Sequence, residues 1–539
     1  MKNRKQTGLM LALAALFVVL MSLPFLVNGC GWLALVGFVP LLCMERLASQ
    51  SGTKHFWWWH YGTFVAWNAA TTFWVCNATV GGGIFAILAN ALQMSLVFGL
   101  FRWVKRRMSR NGHEPGAAPY LFLAAAWIAW EKYYLTVAQI SWPWLVLGNA
   151  FAGTASLVQW YEYTGALGGS LWIWASSLSI FGLMVALSDG RFAARWNAKA
   201  RMAAVSGTIL VFSAPMVLSW IIWNRYEEES SGTLQVVVAQ PNFDPYHKFG
   251  GLTQDEQTAI LLSQFSHGLL EMEGEALLVA PETFTSDILC NDVPSSKTFR
   301  RFRSFLADHP GTELLFGASS WTQYEGTERP SANARRFGDG FWYETHNSAL
   351  IVDSTGRYDL YQKSKLVPGV EMLPYPSVLG PIDDKLLGGV AGRCVGQPEV
   401  SNLVFGGSVP IGCAVCYESV YGEHCAKYVR AGARLLTVIT NDAWWGDTPG
   451  YRQHLNYARL RAIETRRDIA RCANTGISAF IDQKGRILSR TPWWEPVILR
   501  GTVNLSDRTT FFVRAGDVVG RVCVFLFVLL LAAAFVRRK

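Results

Sequence analysis

The chain has 539 residues, 51% of them hydrophobic and only 16% charged, with a net charge of +9 at neutral pH. A soluble domain averages about 25% charged residues, so the deficit assigns part of the chain to lipid, and the length allows a membrane bundle beside a sizeable globular unit. The positive charge does not mark a nucleic-acid binder: it lies in short clusters flanking apolar runs, at Lys2, Arg4 and Lys5, residues 102–110, residues 191–201, and Arg537 to Lys539, and not along a groove.

Seven apolar segments fill the first 223 residues, at 8–27, 29–44, 56–76, 82–103, 117–135, 166–187 and 202–223. Most reach the roughly 20 residues an α-helix needs to span the hydrocarbon core. The second is short and carries Pro40. An eighth runs from Val519 to Val536, with Arg521 placed to snorkel near its outer end. If the spans alternate, all four basic clusters fall on one side and the acidic Asn224-Arg225-Tyr226-Glu227-Glu228-Glu229 stretch on the other. By the positive-inside rule both termini are then cytoplasmic and residues 225–515 are extracytoplasmic. Val27-Asn28-Gly29-Cys30 loosely resembles a lipoprotein-processing site, but the next apolar run starts at once and the alternation needs the first span, so it reads as a retained helix. Trp57-Trp58-Trp59 reads as an aromatic belt and Glu131 as an interfacial carboxylate.

From Thr233 the pattern changes. Leu234 to Gln240 reads as a strand ended by Pro241, and strand-like runs follow at 276–280, 313–318, 348–352, 409–415, 435–440 and 478–481. Helical stretches lie between several of them, at 254–272, 296–308, 419–432 and 451–470. Strands alternating with helices make a layered α/β domain. The expected organisation is a seven-span bundle over 1–224, a catalytic domain over 225–515, and a closing span with a basic tail over 516–539.

Three strand ends in this domain carry chemistry. Leu277 to Ala280 delivers Glu282 just past Pro281; Tyr361-Gln362-Lys363 leads through Leu366-Val367-Pro368 to Glu371; and Ile411 to Val415 delivers Cys416, followed by Tyr417 and Glu418. A carboxylate, an ammonium and a thiol are the parts of a nucleophilic acyl-transfer site: the carboxylate takes the thiol proton, the thiolate attacks a carbonyl, and the ammonium stabilises the oxyanion. A lysine neighbour would also favour the thiolate. Each residue alone has a plainer reading, since free cysteines are commonly small core residues; the set in this order is what points to catalysis. Lys365 rivals Lys363 on residue type. Cys413 and Cys416 form a C-x-x-C, but on a strand residues three apart face opposite ways, which suits neither a disulfide nor a redox site. The ten cysteines show no metal-ligand spacing, and His346 and His454 read as hydrogen-bonded residues, so neither metal nor organic cofactor is expected.

These residues resemble the nitrilase, or carbon–nitrogen hydrolase, superfamily, and within it the apolipoprotein N-acyltransferase family. The resemblance takes in Pro281-Glu282, Tyr361-x-Lys363 with Leu366-Val367-Pro368 and Glu371, and Cys416-Tyr417-Glu418. It continues through Asn441-Asp442-Ala443-Trp444 with Gly446, Gln453-His454, Arg461 to Glu464, Asn474-Thr475-Gly476, and the Ser141-Trp142-Pro143-Trp144 run. It implies a multi-span helical membrane domain joined to a nitrilase-like αββα sandwich. In that frame Cys416 is the nucleophile, Glu282 the general base and Lys363 the electrostatic stabiliser. Glu371 lies beside the lysine, Tyr417 and Glu418 shape the pocket, and Trp444, in the matching Asn441-Asp442-Ala443-Trp444 motif, is a candidate supporting or substrate-binding residue.

The implied reaction moves an acyl chain from a membrane phospholipid, through a thioester, to the N-terminal amine of a diacylglyceryl-cysteine on an apolipoprotein, in a bacterial inner membrane with the catalytic domain periplasmic. The chain departs from the family in two places. Leu-Val-Pro-Gly-Val-Glu stands where Leu-Val-Pro-Phe-Gly-Glu is usual, and Phe249 stands where a tryptophan is often found. The rival readings are a membrane-anchored amidase hydrolysing small carbon–nitrogen bonds, which one anchoring helix would serve; a transporter, which predicts broken or charged spans; and an inactive scaffold, against which the full Glu–Lys–Cys set argues.

Overall fold

The computed structural model describes residues 2–109, 116–188, 197–244, 251–270, 272, 274–326, 328–338, 340–376, 378–379 and 392–536. Phe249 lies outside them. The chain divides into two compact units, Met1–Tyr226 with Ala515–Lys539, and Glu227–Arg514.

In the first unit, helices fill every apolar segment: Lys2–Leu26, Gly31–Ser51 in consecutive pieces, Phe56–Thr72, Val80–Met108, Ala118–Thr136, Ala166–Ser188, Ala198–Arg225 and Val518–Val536. Among the described residues six of them are long and apolar enough to cross a membrane, which is the make-up of a multi-pass membrane protein. Phe56–Thr72 has only 17 residues, and Ala118–Thr136 carries Glu131 and Lys132. Pro40 accounts for the broken second segment. It sits in the first turn of the piece Val39–Ser51, where its missing N–H costs nothing and its fixed φ suits a helix start. Glu131 is fully buried within the unit, where it accepts hydrogen bonds from the Leu147 N–H (2.8 Å) and the Trp127 indole (3.3 Å). It thereby ties helix Ala118–Thr136 to the buried 3₁₀ segment Leu147–Leu157.

The second unit is a four-layer αββα sandwich. One sheet holds β1 (Thr233–Gln240), β2 (Ala276–Val279), β3 (Thr285–Leu289), β4 (Thr312–Tyr324), β5 (Arg335–Phe337), β6 (Phe341–Val352), β7 (Tyr358–Gln362) and, from the far end of the unit, β14 (Val497–Asn504). Its strand order is β14-β1-β2-β4-β6-β5, with β3 on β4 and β7 on β6. The other runs β13-β12-β11-β10-β9-β8, from β8 (Leu403–Phe405), β9 (Val409–Val415), β10 (Leu435–Thr440), β11 (Ile469–Ala473), β12 (Ala479–Ile481) and β13 (Ile487–Arg490).

The two-residue period of a strand explains the layering. In β1, Val236 and Val238 face the second sheet, in one buried cluster with Ile411, Leu436 and Cys472. Val237 and Ala239 face the opposite way, onto Leu261, Phe265, Phe299 and Phe302 of helices Gln254–Leu269 and Lys297–Ala307. Helices Gly422–Arg430 and Pro449–Thr465 cover the second sheet through Tyr428, Val429, Leu455 and Ala458. Strands buried on both faces read as continuous apolar runs, as Leu277-Leu278-Val279 and Leu435-Leu436-Thr437-Val438-Ile439 do.

Candidate active site

The strands β1, β2 and β4 run parallel, as do β9, β10 and β11, and in such sheets the loops past the strands' carboxyl ends carry the chemistry. Glu282 stands three residues past β2. Its turn presses on the neighbouring strand so closely that a Cβ on Gly317 of β4 would lie 2.5 Å from the Glu282 Cα. Only glycine admits that approach. Glu282 is 7% exposed. One of its carboxylate oxygens accepts from Asn347 Nδ2 at 2.8 Å and lies 3.4 Å from Lys363 Nζ; the other accepts from the Asn441 N–H at 3.1 Å.

Lys363 is the first residue after β7 and is fully buried. Its ammonium lies 2.9 Å from Glu371 Oε1, an oxygen that also accepts from Asn347 Nδ2 at 2.6 Å. Two carboxylates therefore share one lysine and one asparagine amide. The altered Leu-Val-Pro-Gly-Val-Glu loop is what returns Glu371 to the lysine: Gly369 takes φ +83°, and the second Glu371 oxygen accepts the Val367 N–H at 2.7 Å. A glycine suits that left-handed position where other residues are strained. Burial acts to lower the Lys363 pKa, but the charges of Glu371 and Glu282 outweigh it and hold the ammonium above its usual value. Lys365 goes elsewhere; its Nζ lies 5.4 Å from the centre of the Tyr421 ring.

Cys416 directly follows β9 and opens the 3₁₀ turn Cys416–Val420, with φ at +51°. A non-glycine residue held there stores strain of order 1–3 kcal/mol, a feature that clusters at functional sites. The lysine acts on the thiol in the expected direction, favouring the thiolate, but it is outweighed. Removal from water, then the Glu282 charge, push the Cys416 thiol well above its usual pKa, and Lys363 only partly offsets them. The resting group is a neutral thiol with a charged lysine nearby, an arrangement that requires a base when the thiol reacts.

Glu418 joins the cysteine turn to the lysine loop. It is fully buried; one oxygen accepts from the Ser364 and Lys365 N–H groups (2.8 and 3.1 Å) and from the Tyr361 hydroxyl (2.7 Å), the other from the Val415 N–H (2.9 Å). Burial works to raise its pKa, yet the His424 charge and these donors bring it down to about 2. Tyr417 is buried and packs edge-on to Tyr421, ring centres 5.2 Å apart. Trp444, in the 3₁₀ turn Asp442–Trp445, is 38% exposed, while Trp445 packs on the His454 ring. A cavity of about 720 Å³ walled by Trp321, Phe337, Phe341 and Tyr343 reaches Asn347 and Glu371.

Asn347 was invisible as a site residue, because it sits mid-strand in β6 and carries no charge. Asp442 enters the sequence reading only as part of a motif and His454 as a hydrogen-bonded residue, and their spacing hides a convergence: ligand atoms of Cys416, Asp442 and His454 lie within 4.8 Å of one another. That donor set could hold a metal, but its members already have partners. Asp442 is paired with Arg471 at 2.5 Å, and the His454 nitrogens bond Asp442 (2.9 Å) and Ser419 (2.9 Å). The cluster is a hydrogen-bond network with its cation built in.

Two family models match this chain, carbon–nitrogen hydrolase over residues 252–511 and the apolipoprotein N-acyltransferase N-terminal domain over residues 17–179. The chain belongs to the apolipoprotein N-acyltransferase family. Curated members align along almost their full length. The apolipoprotein N-acyltransferase of Chlorobaculum tepidum is 28% identical, with 94% of this chain and 92% of the relative covered, and that of Geobacter metallireducens is 29% identical, with 98% and 95% covered. An amidase crystal structure from a Nesterenkonia species aligns over 52% of this chain and 92% of its own, at 18% identity and a TM-score of 0.34. Within the apolipoprotein N-acyltransferase family this chain is an acyltransferase enzyme whose catalytic unit is of the carbon–nitrogen hydrolase kind.

Proposed function

We propose that the protein completes lipoprotein maturation by a two-step acyl transfer at Cys416, in a bacterial inner membrane with unit Glu227–Arg514 on the periplasmic side. The basic clusters flanking the apolar segments support that orientation. Relatives along the whole chain carry the name apolipoprotein N-acyltransferase, and the observation that carries the mechanism is the buried Lys363 ammonium bridging Glu282 and Glu371 near a neutral Cys416 thiol.

In the first step Glu282 accepts the thiol proton as sulfur attacks the ester carbonyl of a phospholipid. The Lys363 ammonium stabilises the negative oxygen that forms. Collapse expels the lysophospholipid alkoxide, which takes the proton from Glu282, and leaves an acyl thioester on Cys416. In the second step the α-amine of a diacylglyceryl-cysteine attacks the thioester and gives a proton to Glu282. The amide departs and the thiolate recovers the proton. One carboxylate thus serves both halves, and Glu371 keeps Lys363 charged and in place throughout.

The test is to incubate detergent-purified protein with phosphatidylethanolamine and a synthetic diacylglyceryl-cysteinyl peptide. The peptide should gain the mass of one acyl chain while lysophospholipid appears in equal amount. An unchanged peptide, together with ammonia release from small amides, would make the protein an amidase.

A further inference from the structure

A buried ionic chain lies behind the nucleophile and takes no part in the two steps above. Arg471, Asp442 and His454 are all fully buried. Arg471 donates to Asp442 Oδ2 at 2.5 Å, and Asp442 Oδ1 accepts from the Thr440 hydroxyl (2.8 Å) and faces His454 Nδ1 at 2.9 Å. Arg471 and His454 share that carboxylate so closely that Nη2 comes within 3.2 Å of Nδ1. Burial tends to raise the Asp442 pKa, but Arg471 and then His454 bring it down to about 2, so the carboxylate is charged and fixes both of its neighbours.

The other ring nitrogen points at the nucleophile's own backbone. His454 Nε2 lies 3.1 Å from the Cys416 carbonyl oxygen and 2.9 Å from the Ser419 hydroxyl, and Ser419 Oγ lies 2.7 Å from that same carbonyl. A carbonyl only accepts, so the contact needs a proton on Nε2. This carbonyl belongs to the residue whose φ of +51° requires restraint. The turn that carries Asp442 also supplies the Asn441 N–H to Glu282, so base and nucleophile are registered against one piece of chain at the end of β10.

We infer that His454 is a positioning residue for the nucleophile: oriented by the Arg471–Asp442 pair, it clamps the Cys416 carbonyl, with Ser419 as the second jaw, and holds the left-handed conformation that presents the thiol to Glu282. The inference rests on Cys416 being the nucleophile. Its importance follows from geometry, since a shift of about 1 Å in a reacting atom can cost on the order of 100-fold in rate.

The experiment measures acyl-enzyme formation from phosphatidylethanolamine in single turnover, with thermal unfolding recorded for each variant. His454→Leu removes the donor to the carbonyl and should slow acylation by roughly 100-fold with little change in the phospholipid concentration at half-maximal rate. His454→Gln can place an amide N–H near the Nε2 position and should recover most of that loss. Ser419→Ala removes one jaw without leaving a buried charge unpaired, and should slow acylation by a smaller factor at unchanged melting temperature. That variant decides the matter if His454→Leu does not fold. Wild-type acylation rates in His454→Leu or in Ser419→Ala would overturn the inference, as would equal losses in the Leu and Gln variants that track lost thermal stability. Turnover surviving in Cys416→Ala would instead overturn the nucleophile assignment on which it rests.

Discussion

Replacing Lys363 with Met removes the single charge that reconciles Glu282 with Glu371. Both carboxylates then still face one amide nitrogen, Asn347 Nδ2, at 2.8 and 2.6 Å. Two like charges about 5 Å apart repel by about 3 kcal/mol at an effective dielectric constant of 20. Deleting one partner of a buried ion pair costs about 3–5 kcal/mol in general. For a unit of this size each kcal/mol moves the melting temperature by about 2–4 °C, so the drop at pH 8 should be on the order of 10 °C. Thermal unfolding followed by tryptophan fluorescence in detergent reads this directly. Activity should fall by at least about 100-fold, the usual loss for an oxyanion stabiliser. A melting temperature equal to that of wild type, or activity within tenfold of it, would contradict the bridging role of Lys363.

Gly317→Ala forces a Cβ to within 2.5 Å of the Glu282 Cα. It should lower kcat by roughly tenfold or more with a smaller effect on KM, since a displaced base affects the chemical step; steady-state kinetics check it. Glu418→Gln puts an amide NH₂ where the Val415 N–H or the Ser364 and Lys365 N–H groups now donate. Donor then faces donor, and lost activity together with a stability loss of about 2–3 kcal/mol should follow, measured by chemical denaturation.

Wild-type stability should also fall in acid. Glu418 and Asp442 both drop to about 2 in the folded state, from ordinary values of 4.5 and 3.8. Depressed carboxyl pKa values give stability that is present above the unfolded values and lost as pH falls through the folded ones. The two groups should therefore contribute on the order of 3 and 2 kcal/mol that disappear between about pH 4.5 and pH 2. A midpoint of denaturation flat across that window would contradict the pairing.

The layered α/β unit was legible because its central strands are buried on both faces and so read as unbroken apolar runs, as at Leu277 to Val279 and Leu435 to Ile439. The peripheral strands were not. Arg335-Arg336-Phe337 is exposed and three residues long, pairing locally with the start of β6; Val497 to Asn504 is interrupted by Arg500 and Gly501, and its pairing with β1 is dictated by a partner at the other end of the unit. Ile469 to Ala473 carries Arg471 at its centre and is not among the expected strands, its first two residues falling in the expected helix 451–470, because only the fold supplies the buried Asp442 that makes an arginine tolerable in that strand. Glu282 and Cys416 could be named from the sequence because each follows an apolar strand, and Lys363 through the resemblance of the Tyr361 to Glu371 stretch to the nitrilase pattern. The state of the thiol could not, since it depends on whether burial and Glu282 outweigh Lys363, a balance of distances. The role of Asn347 was equally hidden, as it arises from two carboxylates that approach it from 65 residues before and 24 after.

Whether Cys416 carries the acyl chain is read by intact-protein mass spectrometry after incubation with phosphatidylethanolamine and no acceptor. The expected result is a mass gain of one acyl chain that hydroxylamine removes, that Cys416→Ala abolishes, and that a lipopeptide amine discharges. An acyl adduct that persists in Cys416→Ala, or transfer to the lipopeptide by that variant, would contradict it.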